Sequence, residues 1–375
     1  MIRESSPYPF KVETPSSTPE EDPGPGGVRR DVPTLEPPFD PTGQGPLSDP
    51  LAMDPLQAPP ERHVLALDSG RSALSVGLRA LRRAGCAPVI HLPAVICRAV
   101  MTIALHEGFS LRFYRLGRDL ATPTFPSPPR AEEVVLYVHY FGWRHDAMER
   151  ALSSLRRRPF VVEDGASAGL TPGVGGFGDV TVRGFRKLLP ITDGALLLSR
   201  FPLEDLPGDP DEDFIDRKAR ELALRRSSPL PPDPFGAEAR LDRRPTPRRI
   251  SDASLEYLAS GEWRSAGEER RLSHRRLGAL LRGLALPSLE ELWELPEGVV
   301  PLGFPLLMHR GYGGELRRLL RKEGFPLPMD WGLPPGAPWK EDGDFLRQLV
   351  LLPLAPDFFG KEERVMALAA RAAGS

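Results

Sequence analysis

The stretch VVEDGASAGLTPGVGGFGDVTVRGFRKLLPITDGALLLSR, residues 161–200, decides how this chain is read. It opens as an apolar strand that ends on an acid, Asp164. Two more apolar runs, DVTVRGF and GALLLSR, read as strands joined by the short connection RKLLPITD. Upstream the same texture repeats. HVLAL, PVIHLP, LRFYRL, VVLYVHYFG and PFVVEDG read as strands. SGRSALSVGLRALRRAG is a turn and then a helix, with apolar Ala73, Val76, Leu78 and Leu81 and a closing Gly85. ICRAVMTIALHEG and HDAMERALSSLRR are the next helical runs. Strands of about 4–8 residues alternating with helices of about 10–15 predict an α/β fold. Its sheet is mostly parallel, with crossover helices on both faces.

Beyond Arg200 the alternation stops. Residues 203–250 are charged and Pro-rich, with a helix expected at DFIDRKARELALRR. A long helix at GEERRLSHRRLGALLRGLA follows, then a strand (VPLGFPLLM), a helix (GGELRRLLRKEG), a strand (LVLLPLA) and a final helix (KEERVMALAARA). This predicts a smaller α+β domain at the C-terminal end. At the other end, about a third of the 44 prolines lie before Pro60. Such a segment has too little apolar area to offset the entropy of ordering it. Three regions are expected: a Pro-rich extended arm over 1–58, a large α/β domain over 59–240, and the α+β domain over 241–375. The arm either extends freely or wraps as coil over its own domain or a partner, anchored by Phe10, Leu35, Phe39 and Leu51.

Composition narrows the function. With 49 Lys+Arg against 51 Asp+Glu, the net charge is −2, which argues against a nucleic-acid or anionic-membrane coat. The Arg runs at 156–158, 243–249 and 270–276 therefore read as solvated faces. Two cysteines, Cys86 and Cys97, make neither a disulfide framework nor a four-thiolate metal site. They suit a reducing, cytoplasmic setting. No apolar run approaches the roughly 20 residues of a membrane span, and the N-terminus does not read as a signal peptide.

Four local features carry chemistry. Asp68-Ser69-Gly70-Arg71-Ser72 lies between a strand and a helix, where free backbone N–H groups attract an anion. The same residues also suit an ordinary N-cap by Ser69 or Ser72. Asp164 ends a strand, where ligands of an open parallel sheet bind. It is either a partner for a cationic ring nitrogen or a turn-forming acid before Gly165. Lys187, with Leu188, Leu189 and Pro190 behind it, is either a partly desolvated nucleophile or a surface lysine beside Arg186. GVGGFG (Gly173–Gly178) has a dinucleotide-type glycine spacing, but it leads into a strand rather than a helix, so it reads as an inter-strand loop.

Taken in order, these features resemble the fold type I pyridoxal-phosphate enzymes, specifically the DegT/DnrJ/EryC1/StrS sugar aminotransferases. DSGRSAL resembles that family's phosphate turn, VVEDGASAG its EDxAQ motif, and GGFGDVTVRGFRKLLPITDGALL its lysine segment. HLPAVICRAVMTIALHEGFSLRFYRL, YVHYFG, the helix around RRLSHRRLGALL and the C-terminal GFPLLM and LLPLAPDF extend the likeness over about residues 63–373.

The resemblance implies a large domain of the fold type I class and pyridoxal 5'-phosphate as cofactor. Lys187 stands in the place of the Schiff-base lysine and Asp164 in that of the acid facing the pyridine nitrogen. Ser69, Gly70, Arg71 and Ser72 stand at the phosphate turn, and Ser167 near the cofactor's phenolic oxygen. Cys97 falls where many members place a stacking aromatic. VRGF replaces a serine-bearing strand, which leaves Arg183 as a substitute phosphate contact. The implied reaction moves an amino group from an amino acid donor to a keto-sugar, nucleotide-linked, in a homodimer with no nucleic-acid or membrane partner. DGA at 193–195 in place of GEGG, Cys97 and the unrecognisable N-terminal helix motivate the alternative of a catalytically silent binding or assembly protein. His139 and Tyr140 either line the site or pack. Trp331 and Trp339 either pack in the smaller domain or border the substrate cleft.

Overall fold

The computed structural model describes residues 55–225, 233–243, 246–325, 327, 331–334, 339–354 and 360–374. Most of the expected arm, residues 1–54, lies outside them. Its described end is anchored: Leu56 and Ala58 pack against the main core.

The residues that read as strands pair into one eight-stranded sheet. Its strands are β1 (His63–Leu67), β2 (Val89–Pro93), β3 (Ser110–Leu116), β4 (Pro123–Thr124), β5 (Val134–Val138), β6 (Phe160–Gly165), β7 (Val180–Gly184) and β8 (Ala195–Ser199), in the order β1-β8-β7-β6-β5-β2-β3-β4. The β2–β3, β2–β5, β5–β6 and β6–β7 pairs are parallel. β8 runs antiparallel to both β7 and β1, because the connection after β7 is too short for a crossover. The helices expected between strands are α1 (Gly70–Arg83), α2 (Arg98–His106) and α3 (Asp146–Ser153).

Alternation along β5 shows why both faces are covered. Val134, Leu136 and Val138 join the main core with α1 and α2, while Val135 and Tyr137 join a second cluster with Met148 and Leu152 of α3. VVLYV, apolar at every position, is therefore a strand buried on both sides.

After the sheet come α4 (Glu212–Arg225), α5 (Ala237–Arg243), α6 (Asp252–Ser260) and α7 (Trp263–Leu284). A three-stranded antiparallel sheet, β9 (Leu289–Glu291), β10 (Gly303–Met308) and β11 (Leu349–Pro353), is ordered β11-β10-β9. Together with α7, α8 (Gly313–Lys322) and α10 (Glu362–Ala372) it encloses a second core around Phe304, Leu306, Leu316 and Val365, and α9 (Lys340–Gln348) precedes β11.

One expectation is corrected at α7. Arg270 and Arg271 do not lie on a solvated face: they are 2% and 4% exposed. Burial lowers the Arg270 guanidinium to about 9. It donates to the carbonyls of Lys187 (3.1 Å), Leu188 (2.8 Å) and Leu302 (3.1 Å), tying α7 to the turn after β7 and to the residue that leads into β10.

Candidate active site

A cavity of about 220 Å³ lies at the carboxyl ends of β2, β5, β6 and β7. Asp164 and Ser167 reach it from the end of β6, and Val182, Gly184, Arg186 and Lys187 from the end of β7. Gly70 and Arg71 come from the start of α1, Cys97 from the start of α2, and Glu238 from α5. Trp331 closes one side, 6.2 Å from Tyr140 by ring centroids. This is the position at which open parallel sheets bind ligands.

Neighbouring acids on β6 face opposite ways, as the strand's period of two requires. Asp164 faces the cavity, and its Oδ1 accepts the Ala166 N–H at 2.9 Å. Burial raises its pKa, against the opposing effects of the Ala166 N–H and the Lys187 charge. A carboxyl in this state favours a cation in front of it. Glu163 is fully buried on the other face. It accepts N–H groups from Gly175 (2.7 Å) and Gly178 (3.0 Å) and the Thr181 hydroxyl (3.1 Å). Burial alone would raise its pKa, but His139 and these N–H groups outweigh that and hold it at about 2. The glycine-rich segment is thus an inter-strand loop folded over a carboxylate, with Gly175 at φ +103°.

His139 does not line the cavity. Its Nδ1 accepts the His145 N–H at 3.2 Å, so the ring proton sits on Nε2 and is donated to Glu163 at 2.9 Å. Lys187 lines the cavity but is exposed rather than partly desolvated, while Leu188 and Leu189 behind it take the core positions.

The turn before α1 divides its residues. Gly70 and Arg71 line the cavity. Ser69 is the N-cap, accepting the Ser72 N–H at 3.2 Å, and both hydroxyls donate to Asp68 Oδ1. Their side chains are committed within the protein, as an ordinary cap requires. Arg183 is the clearest correction. It sits between Val182 and Gly184, so the pleat points it away from the cavity, where it donates to the carbonyls of Gly169 (2.9 Å) and Gln57 (3.1 Å). The side chain beside the cavity that the sequence reading passed over is Arg186. It binds Glu238 through both terminal nitrogens, at 2.5 and 2.9 Å. Glu238 lay in a charged, Pro-rich segment with no recognisable signal.

Asp193, in the divergent DGA, has a structural task. Its carboxylate accepts the Ser251 N–H (2.7 Å) and the hydroxyls of Ser251 (2.6 Å) and Ser254 (2.5 Å), at the N-terminus of α6. The following Gly194, at φ +132°, donates its N–H to the Asp68 carbonyl and brings the backbone to the cavity wall.

No family model and no curated protein sequence matches this chain. Solved structures do. An aminotransferase, TlmJ, from Streptoalloteichus hindustanus superposes with a TM-score of 0.58 at 17% identity, over 85% of this chain and 88% of that one. PseC of Helicobacter pylori, an aminotransferase involved in the biosynthesis of pseudoaminic acid, gives 0.56 at 15% identity, over 83% and 87%. A DegT DnrJ EryC1 StrS aminotransferase from Brucella abortus gives 0.53 at 18% identity, over 84% and 86%. The chain thus shares the overall fold of these aminotransferases, the α/β class that its strand and helix pattern predicts.

Proposed function

We propose that the chain is a pyridoxal-phosphate-dependent aminotransferase that moves an amino group from an amino acid to a keto-sugar, nucleotide-linked. The observation that carries this is one cavity lined by Asp164, Lys187 and the first residues of α1. The residues present fit the cofactor: a buried acid with a raised pKa at the cavity floor, an amine at its rim, and a helix N-terminus beside them. Neighbours solved with this cofactor or its amino form, such as the sugar aminotransferase Spr1654 of Streptococcus pneumoniae, support the same reading.

When bound, the cofactor supplies an aldehyde for covalent attachment and a ring that takes up electrons from the donor carbon. Asp164 holds a proton on the ring nitrogen by charge. Lys187 Nζ would be the attachment amine and, once released, the base that moves a proton between the donor carbon and the cofactor carbon. The α1 N-terminus, with Gly70 and Arg71 at the cavity, would hold the phosphate. Val182, Cys97 and Ser167 line the same cavity, where Val182 and Cys97 would flank the ring and Ser167 would offer its hydroxyl to the ring's oxygen. Residues 59–240 act as the cofactor-binding domain, and 241–375 supply Trp331 as a cover. Exposure of Lys187 on a single chain supports a homodimer, in which a second copy excludes water from the amine; the reading goes with a cytoplasmic enzyme.

The test is an absorbance spectrum of purified protein with added cofactor. A band near the visible edge that disappears in Lys187→Ala is expected. A colourless protein that takes up no cofactor rejects the proposal.

A further inference from the structure

Three cations converge on one carboxylate at the cavity wall. Arg186 holds Glu238 in a two-pronged pair, Arg71 reaches its Oε2 at 3.2 Å, and Lys218 its Oε1 at 3.3 Å. Arg71 also binds Asp242, one turn further along α5, at 2.8 Å. Burial would raise the Glu238 pKa, but Arg186, Lys218 and Arg71 outweigh it and hold the carboxyl well below the usual range. Arg71, Arg186 and Glu238 all line the cavity that holds Asp164 and Lys187.

We propose that Arg71 and Arg186 form a phosphate-binding subsite that Glu238 occupies as a built-in counter-ion, so that a phosphate-bearing ligand enters by displacing α5. This deepens, and rests on, the reading of the cavity as a cofactor site. Charge supports the exchange. Withdrawing α5 removes two negative charges, Glu238 and Asp242, from the two guanidiniums, while Lys218 keeps Glu221 at 2.7 Å. An incoming phosphate dianion carries close to the same two charges. Planar guanidiniums bind phosphate and carboxylate with the same fork geometry, so one can replace the other. The packing also suits displacement. The apolar side of α5, Ala237 and Leu241, forms a small cluster with Phe214 and Ile215 of α4, separate from the main core. The helix is held to the cavity wall by these ion pairs.

Two sources share this chemistry: the phosphate monoester of the cofactor and the diphosphate of a nucleotide-linked sugar. Titration calorimetry on the full chain, with inorganic phosphate as the first probe, tests the subsite. Glu238→Gln is expected to tighten phosphate about tenfold, which corresponds to about 1.4 kcal/mol. Asp242→Asn, half-exposed on the same helix and harmless to folding, shifts it the same way by about twofold. Arg186→Gln weakens it. Pyridoxal, which has no phosphate, binds equally to all variants. Tightening of pyridoxal 5'-phosphate assigns the subsite to the cofactor, and tightening of uridine 5'-diphosphate instead assigns it to the sugar carrier. Phosphate affinity that is unchanged or weaker in both Glu238→Gln and Asp242→Asn overturns the inference, even where the Lys187-dependent band forms. A phosphate response without that band keeps the subsite and removes the cofactor reading.

Discussion

Two acids one residue apart on β6 show how side-chain direction assigns chemistry. Glu163 is spent on holding a loop, and Asp164 is turned to the cavity. Replacing Asp164 by Asn keeps the size and the Ala166 contact but removes the charge. The rate of amino transfer from the donor is expected to fall about 100-fold or more while cofactor stays attached, read by stopped-flow absorbance. A wild-type rate would refute the assigned role. Asp164, Gly70, Cys97 and Lys187 could be picked from the chain because each lies at the end or start of an element or, for Lys187, in the turn just after a strand, and element ends converge at one edge of a parallel sheet. Arg183 could not be placed that way. Whether a strand residue faces a cavity depends on its register in the pleat, and a shift of one position reverses it.

Among the elements, those with a strong apolar period were legible: the strands β5 to β8, the helix α1 and the final helix α10. The connection between β7 and β8 was also readable from its length. Helices α5 and α6 were harder. α5 has seven residues in a Pro-rich stretch, and its place is set by distant Arg71 and Arg186 rather than by local pattern. α6 begins where Asp193, nearly sixty residues upstream, accepts the N–H of its N-cap, Ser251, and the hydroxyls of Ser251 and Ser254. Asp193→Ala keeps the Ser251 N-cap but leaves the Ser251 N–H and the Ser251 and Ser254 hydroxyls without their buried acceptor. A loss of about 2 kcal/mol in urea unfolding is expected. A change below about 0.5 kcal/mol, the usual range of an uncoupled surface substitution, would contradict this account.

For the molecule as a whole, stability against acid follows from buried titrating groups. His145 and His274 are buried, and desolvation lowers both from the usual 6.5 to about 3. The unfolded chain therefore binds protons that the folded one refuses, so their stabilisation is complete above pH 6.5 and is lost as pH falls toward 3. Glu163, held at about 2 against the usual 4.5, contributes stability that is complete above pH 4.5 and is lost as pH falls toward 2. The thermal midpoint should thus be flat above about pH 6.5, decline below it, and fall more steeply below about 4.5. A midpoint that holds constant down to pH 5 would contradict the burial of the two histidines. The order of strands and helices was in the chain because apolar spacing follows the period of each element, and that spacing is local. Local spacing carries no record of which distant side chains meet. Only the folded arrangement decided that Arg183 turns away, that Arg270 holds the carbonyl of Lys187, and that Glu238 sits among three cations at the cavity wall, because each depends on contacts between separate segments that no local period records.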